Sequence, residues 1–416
     1  MPASDIRPAN RSASSGELDS RSANALTLSA YAAFLPIGIV TVLLGPLLPT
    51  LSARWSLDYS QAGALISTQY FASTAAVALS GVLVAHWGYR FAMKAGLSLI
   101  TLGLVLLLSG SRILGTACIA AYGAGLGLAV PAANLLVAEV NPARRSAKLN
   151  VLNFCWSVGA VACPFLVATA AKIDHVQLLL ILVGACMFLV LGGIAAMPSS
   201  IVEPSVVESA VVTVEATTAV RGKRSLGIDW RHHALGALGA LFFIYVGTEN
   251  GFGLWIATYS NSLGTMTKTW ALLTPSFFYT ALMIGRLLAP ALLRTVDEIR
   301  LAQAGLVTAF VGSAGILFAH ALPGIALSAS LAGLGLSFVY PITIALLSRE
   351  FGVTAARVGS VMFTLANLGG SVMPWMVGIS SSKFGTLKAG LLVPLAGTAA
   401  MFILYLREWK ATPILD

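Results

Sequence analysis

Residues 60–110 read SQAGALISTQYFASTAAVALSGVLVAHWGYRFAMKAGLSLITLGLVLLLSG. Two apolar runs, 60–85 and 91–110, flank a short junction at His86, Trp87, Gly88, Tyr89 and Arg90, and Arg90 and Lys94 are the only charged residues in the stretch. A helix needs about 20 apolar residues to cross the hydrocarbon of a bilayer. Each run is long enough. Lipid offers the backbone no hydrogen bonds, so a spanning segment of this kind must be a helix. The stretch therefore reads as a hairpin of two membrane-spanning helices with a basic turn.

Runs of the same kind recur along the chain. They lie at 25–51, 112–138, 148–171, 176–197, 234–260, 270–293, 301–320, 322–348, 355–382 and 386–406, and predict an all-α integral membrane protein of twelve spans. Composition agrees: 57% of the 416 residues are hydrophobic and 10% charged, where soluble domains carry about a quarter charged. A polar stretch, 1–24, precedes the first span and reads as a disordered tail. The one long polar connection, 198–233, separates six spans (25–197) from six (234–408) and reads as a linker, with a short tail at 409–416.

The net charge of +9 does not point to nucleic acid. Lys and Arg sit in short clusters between apolar runs and form no continuous basic stripe. They act as topology signals. With the amino terminus inside, 18 fall in inward loops and tails, 6 in outward ones, and Arg286 lies inside a span. That bias places both termini in the cytoplasm. Cys118, Cys155, Cys163 and Cys186 form no CxxC pair and have no His at metal-ligand spacing, so no metal site is expected. No Walker loop is present, and Gly123, Gly125 and Gly127 lack the βαβ surroundings of a nucleotide fingerprint. No cofactor is expected beyond a coupling proton. The expected partners are membrane lipid and a small solute, with the protein acting as a monomer.

The two halves resemble each other. Gly81…Arg90 pairs with Gly285…Arg294 at a displacement of 204, Gly125-Leu126-Gly127-Leu128 with Gly333-Leu334-Gly335-Leu336 at 208, and Gly159…Pro164 with Gly369…Pro374 at 210. Three matches in order predict a parallel repeat of two six-helix units, the plan of a rocking transporter with its site between the halves.

On these residues the chain resembles the major facilitator superfamily. The junction after the second run keeps Gly81, Leu83, Gly88 and Arg90 of that family's signature, while Ala85 and His86 stand where an Asp-Arg pair is usual. The departure removes the charges by which the family clamps its cytoplasmic side. A narrower likeness is to the fucose:proton symporter branch. It is carried by Asn134 through Arg145, Leu149-Asn150, and Tyr245 through Tyr259 with Gly247, Glu249 and Trp255. The resemblance implies a sugar porter of a bacterial inner membrane. The branch's acidic residues in the first half have no counterpart here, so the resemblance does not bring proton coupling with it.

Candidate site residues follow from cost. An ionised side chain at bilayer depth is expensive and is kept where it faces a cavity or a partner. Glu249 is the one acidic residue placed deep in a span, among Gly247, Gly251 and Gly253. It is the expected proton-coupling and solute-binding group, although a structural carboxylate would fit the same pattern. Arg286 is a candidate gate, or a snorkelling residue. Counting rise along both helices sets Glu249 about 12 Å beyond Arg286, which argues against a direct ion pair. Arg90 is the other candidate gate. Asn150, Asn153 and Ser157 share a face of the fifth span, and Thr364, Asn367 and Ser371 repeat that arc on the eleventh. These faces suit a shared wet cavity, or hydrogen bonds between helices. Gln69, Tyr70, Asn134, Asn153, Trp156, Glu249, Asn250, Trp255 and Asn367 form the expected solute-binding set, since amides suit hydroxyls and Trp suits a sugar's apolar face.

Together these features predict a secondary transporter of a small polar solute, a sugar above all, working by alternating access. Two readings stand beside it: an efflux carrier for an amphiphilic compound, and a membrane sensor that binds without transport. Enzyme chemistry is not expected, because no cluster of His, Asp or Ser lies within the spans.

Overall fold

The computed structural model describes residues 11–108, 110–196, 233–351 and 355–406. The expected linker, apart from His233, and the carboxy-terminal tail fall outside them. The described chain forms fourteen α-helices: α1 Arg11–Val42, α2 Leu44–Trp55, α3 Tyr59–Leu106, α4 Arg112–Val140, α5 Arg145–Lys172, α6 Val176–Ala195, α7 His233–Gly253, α8 Ile256–Ser262, α9 Lys268–Leu292, α10 Glu298–Phe318, α11 Leu322–Ser337, α12 Val339–Phe351, α13 Ala355–Phe384 and α14 Leu387–Tyr405. No strand occurs among the described residues. A 3₁₀ turn, Pro142–Arg144, joins α4 to α5.

Fourteen helices make twelve spans because three are interrupted and one is doubled. Proline lacks the N–H that would bond the carbonyl four residues back. Pro46 leaves Val42 without that donor, and α1 ends at Val42; Pro341 does the same to Ser337, where α11 ends. The third break, between α7 and α8, follows Gly251 and Gly253. The doubled helix is α3, whose 48 residues would reach about 72 Å if straight. It turns at Gly88, which adopts φ 81°, ψ 170°. Only glycine takes that backbone conformation readily. The loop expected at 86–90 is thus a one-residue kink. Within the expected tail, α1 already runs from Arg11.

Short turns are fixed by caps. Asp58 and Gln61 form a reciprocal capping box at the start of α3, Ser111 caps α4, and Asp297 accepts from the Ile299 and Arg300 amides at the start of α10. Such caps satisfy the orphan N–H groups of a helix start.

The two halves repeat the same crossings. A Cβ on Gly159 of α5 would collide with the Leu35 carbonyl of α1, and one on Gly369 of α13 with the Phe243 carbonyl of α7. Gly96 and Gly125 bring α3 and α4 together, each against the other's carbonyl, and Gly305 and Gly335 do this for α10 and α11. The repeat therefore runs at displacements of 208 to 210. Gly159 and Gly369 pair as expected. Gly125 pairs with Gly335, not Gly333, so that expected match was displaced by two residues; a Gly-Leu-Gly-Leu run matches itself equally well in that shifted register. Gly81 has open space around it while Gly285 lies against Ser337, so those two are not equivalent.

Contacts between the halves gather toward the end that carries Trp55. Gly45 packs on Gly253 and Leu254, and Gly63 on Pro374, Trp375 and Gly378. Ser67 donates to the Ser371 carbonyl at 2.8 Å and Ser371 returns a bond to the Ser67 carbonyl at 3.3 Å. The Ser60 amide donates to the Ser382 hydroxyl at 2.8 Å. Toward the end carrying Gly88, Asn150, Asn153 and Thr364 are exposed.

Candidate functional site

The second half holds its charges together. Arg286 of α9 lies 3.6 Å from Glu249 of α7, with side-chain exposures of 28% and 13%. This corrects the expectation that the two lie too far apart in height. Rise fixes a position along one helix and says nothing of how far a neighbouring helix is shifted along the bundle; a long arginine side chain closes the remaining gap. Arg286 also donates to the Tyr245 hydroxyl at 3.3 Å. Tyr245 stands one turn before Glu249 and shares its face. Its ring stacks on Tyr340 of α12, with centroids 5.2 Å apart and an interplanar angle of 28°. Tyr245 is buried and Tyr340 half-buried. The result is a carboxylate and a guanidinium walled by two aromatic rings.

One bond ties this cluster to the first half. The Tyr70 hydroxyl donates to Asn250 Oδ1 at 2.8 Å. Tyr70 is half-buried and also lies against Gly370 of α13. Glu249 and Asn250 are adjacent in sequence, so a contact between halves sits beside the ion pair.

The first half is polar but uncharged at its centre. Gln69 is 1% exposed and both ends of its amide are used. Nε2 donates to the Thr41 carbonyl at 3.1 Å, and Oε1 accepts from the Tyr122 hydroxyl at 3.1 Å. Trp156 of α5, half-buried, donates from Nε1 to Thr41 Oγ1 at 3.2 Å. Thr41 Oγ1 in turn donates to the Ile37 carbonyl at 2.7 Å. Thr41, Gln69, Tyr122 and Trp156 thereby join α1, α3, α4 and α5.

Several expected solute ligands are placed elsewhere. Gln69 braces the helices: it is buried, and each end of its amide is bonded to the protein. Trp255 lies between α7 and α8, fully buried, and donates to the Pro374 carbonyl at 3.1 Å; it anchors α13 against the helix break. Asn134 and Asn153 donate to the Val130 and Leu149 carbonyls one turn back on their own helices. Asn134 and Asn367 are half-buried and Asn153 exposed. Because Gly159 pairs with Gly369, Ser157 is the counterpart of Asn367 and Asn153 that of Phe363. The two polar arcs share a face but sit one turn apart. Arg90 donates to the Ile194 carbonyl at 3.0 Å. It helps satisfy the last turn of α6 within its own half.

Sequence reasoning did not select Thr41, Tyr122, Tyr245 or Tyr340 as site residues. A partial signal existed: Tyr245 stands at helical spacing before Glu249. The others are single polar residues in apolar helices, and only packing shows where they converge. The described residues contain no group of three or more His, Cys, Asp or Glu that could hold a metal.

Comparison with known proteins agrees with this layout. The sequence profile of the Major Facilitator Superfamily matches residues 30–374. A glucose/galactose transporter of Brucella abortus is 26% identical over 383 residues, which span 86% of this chain and 88% of that protein. Among solved structures, a D-xylose-proton symporter superposes with a TM-score of 0.74 at 17% identity, covering 94% of this chain and 98% of the other. An inward-open form of a xylose transporter from E. coli gives a TM-score of 0.68 at 15% identity, covering 94% and 96%. At such identities the structural matches speak for the fold alone.

Proposed function

The chain belongs to the major facilitator superfamily, and from that premise we propose that this transporter carries a sugar by alternating access, coupled to protons at Glu249. The observation that carries the reading is the Glu249–Arg286 pair inside the second half, largely buried and walled by Tyr245 and Tyr340. Desolvation penalises an ionised carboxylate at that depth, and a cationic partner offsets the penalty. A group held in that balance can gain or lose a proton when its partner moves. The exposed amides support a polar solute over an amphiphilic one, which would call for an apolar cavity. The relative from Brucella, by its name, points the same way.

The contacts between the halves support a cycle of this kind. The halves meet at the Trp55 end, and the exposure of Asn150, Asn153 and Thr364 supports an opening at the Gly88 end. With the charge bias of the loops placing the Gly88 end in the cytoplasm, this is an inward-facing state. Solute enters between Glu249, Arg286 and Tyr340 on one side and Trp156, Asn134 and Asn153 on the other. Closing the Gly88 end requires the serine contacts and the Tyr70–Asn250 bond at the far side to open. A hydrogen bond nets only about 0.5–1.5 kcal/mol, so these few contacts are within reach of solute binding energy.

The test is a solute panel in proteoliposomes, with and without an imposed pH gradient. Uptake of D-glucose or D-galactose that rises under an inward proton gradient is expected. Saturable transport of amphiphilic dyes with no hexose uptake would replace this reading with the efflux one. Hexose binding without counterflow would replace it with the sensor.

A further inference from the structure

The repeat assigns Thr41 a station that its residue type does not announce. Gly159 packs on the Leu35 carbonyl and Gly369 on the Phe243 carbonyl. Thr41 lies six residues beyond Leu35, and Glu249 lies six residues beyond Phe243. Thr41 therefore occupies in the first half the place that Glu249 occupies in the second. There the resemblance of chemistry stops. Glu249 gathers charge and tyrosines, whereas Thr41 gathers neutral donors: the Trp156 indole on its hydroxyl and the Gln69 amide on its carbonyl.

We propose that Thr41 is the positioning residue of the solute site, holding the Trp156 indole in the orientation that presents its ring to a sugar. This rests on the reading of the cavity as a sugar site. The hydroxyl accepts the indole N–H at 3.2 Å and spends its own proton on the Ile37 carbonyl at 2.7 Å. That second bond fixes the rotamer, so the acceptor lone pairs point one way. Gln69, itself clamped by Tyr122, holds the Thr41 backbone from the other side. Trp156 has one polar atom, and Thr41 uses it; the half-buried indole face is what remains for a ligand. Aromatic faces take the apolar side of a ring with hydroxyls at its edge. Thr41 touches the solute only through Trp156, and for that reason it sets affinity without taking part in proton movement.

The experiment is D-galactose counterflow by the purified full-length protein in proteoliposomes, for wild type, Thr41→Val, Thr41→Ser, Trp156→Phe, Trp156→Ala and Thr41→Val/Trp156→Phe. Valine keeps the shape and removes the acceptor. Thr41→Val is expected to raise KM about 5- to 20-fold, a loss of roughly one charge-free hydrogen bond's worth of orientation or somewhat more, with kcat within about 2-fold and the pH profile unmoved. Serine restores the acceptor and should bring KM back to within about 2-fold of wild type. In the Trp156→Phe background, which has no indole N–H to hold, Thr41→Val should add less than about 2-fold. Multiplication of the two single effects in the double variant overturns the proposal, as does a Thr41→Val KM equal to wild type while Trp156→Phe raises it. A KM unchanged by both Trp156→Phe and Trp156→Ala takes the indole out of the sugar site and overturns the proposal, whereas absence of galactose counterflow by the wild type overturns the sugar reading itself.

Discussion

Glu249 and Arg286 show how one pair can be both costly and useful. Removing one partner of a buried pair leaves an unpaired charge, typically at about 3–5 kcal/mol; the 28% exposure of Arg286 lowers that figure here. Arg286→Met should therefore lower the thermal unfolding midpoint in detergent, and Glu249→Gln in the same chain should recover part of the loss. A double variant no better than Arg286→Met would mean that the two groups are not coupled. Glu249→Gln alone mimics the protonated carboxyl at similar size. It is expected to abolish uphill accumulation under a pH gradient while leaving solute exchange running, because exchange needs no net proton movement. Parallel loss of both would make Glu249 a solute ligand only. Wild-type accumulation would make it structural.

At the level of helices, the close crossings are set by glycine. Gly369 admits the Phe243 carbonyl of α7 where no Cβ fits, and Gly159 does the same for Leu35 of α1. Gly369→Val must push two backbones apart, and overpacking of this kind costs about 1–3 kcal/mol or more. Gly81 has the same residue type and open surroundings. Gly81→Ala is expected to be neutral or slightly stabilising, since alanine is the better helix former by about 1 kcal/mol. Unfolding of both variants in detergent measures the contrast; equal destabilisation would contradict the crossing geometry. The same crossings explain why the repeat was only partly legible. Glycine and leucine recur so often in these helices that several registers match, and contact across a crossing selects one.

For the whole molecule, the serine contacts at the Trp55 end are among those that join the halves in this state. Ser67→Cys with Ser371→Cys, cross-linked by an oxidant, should hold that end closed and bring transport to background, with recovery on reduction. Transport that survives complete cross-linking would show that this end need not open. Topology has its own check. A cysteine at residue 10 or 215 is expected to resist labelling from outside intact cells, and efficient labelling of either would overturn the placement of both termini inside.

Residue order alone was enough for the solvent of this protein, the order of its spans and the division into halves. Those follow from run length, charge spacing and the cost of polar groups in lipid, which act on each segment separately. It also singled out Glu249, because a lone carboxylate in an apolar run is conspicuous without any neighbour. Tertiary structure decided what Glu249 pairs with, that Gln69 and Trp255 are packed away, that the second and third spans join at one glycine, and that Thr41 matches Glu249 across the repeat. Each of these depends on how far one helix is shifted along another. That shift is set by side chains meeting across the crossing, and no count of residues along a single helix contains it.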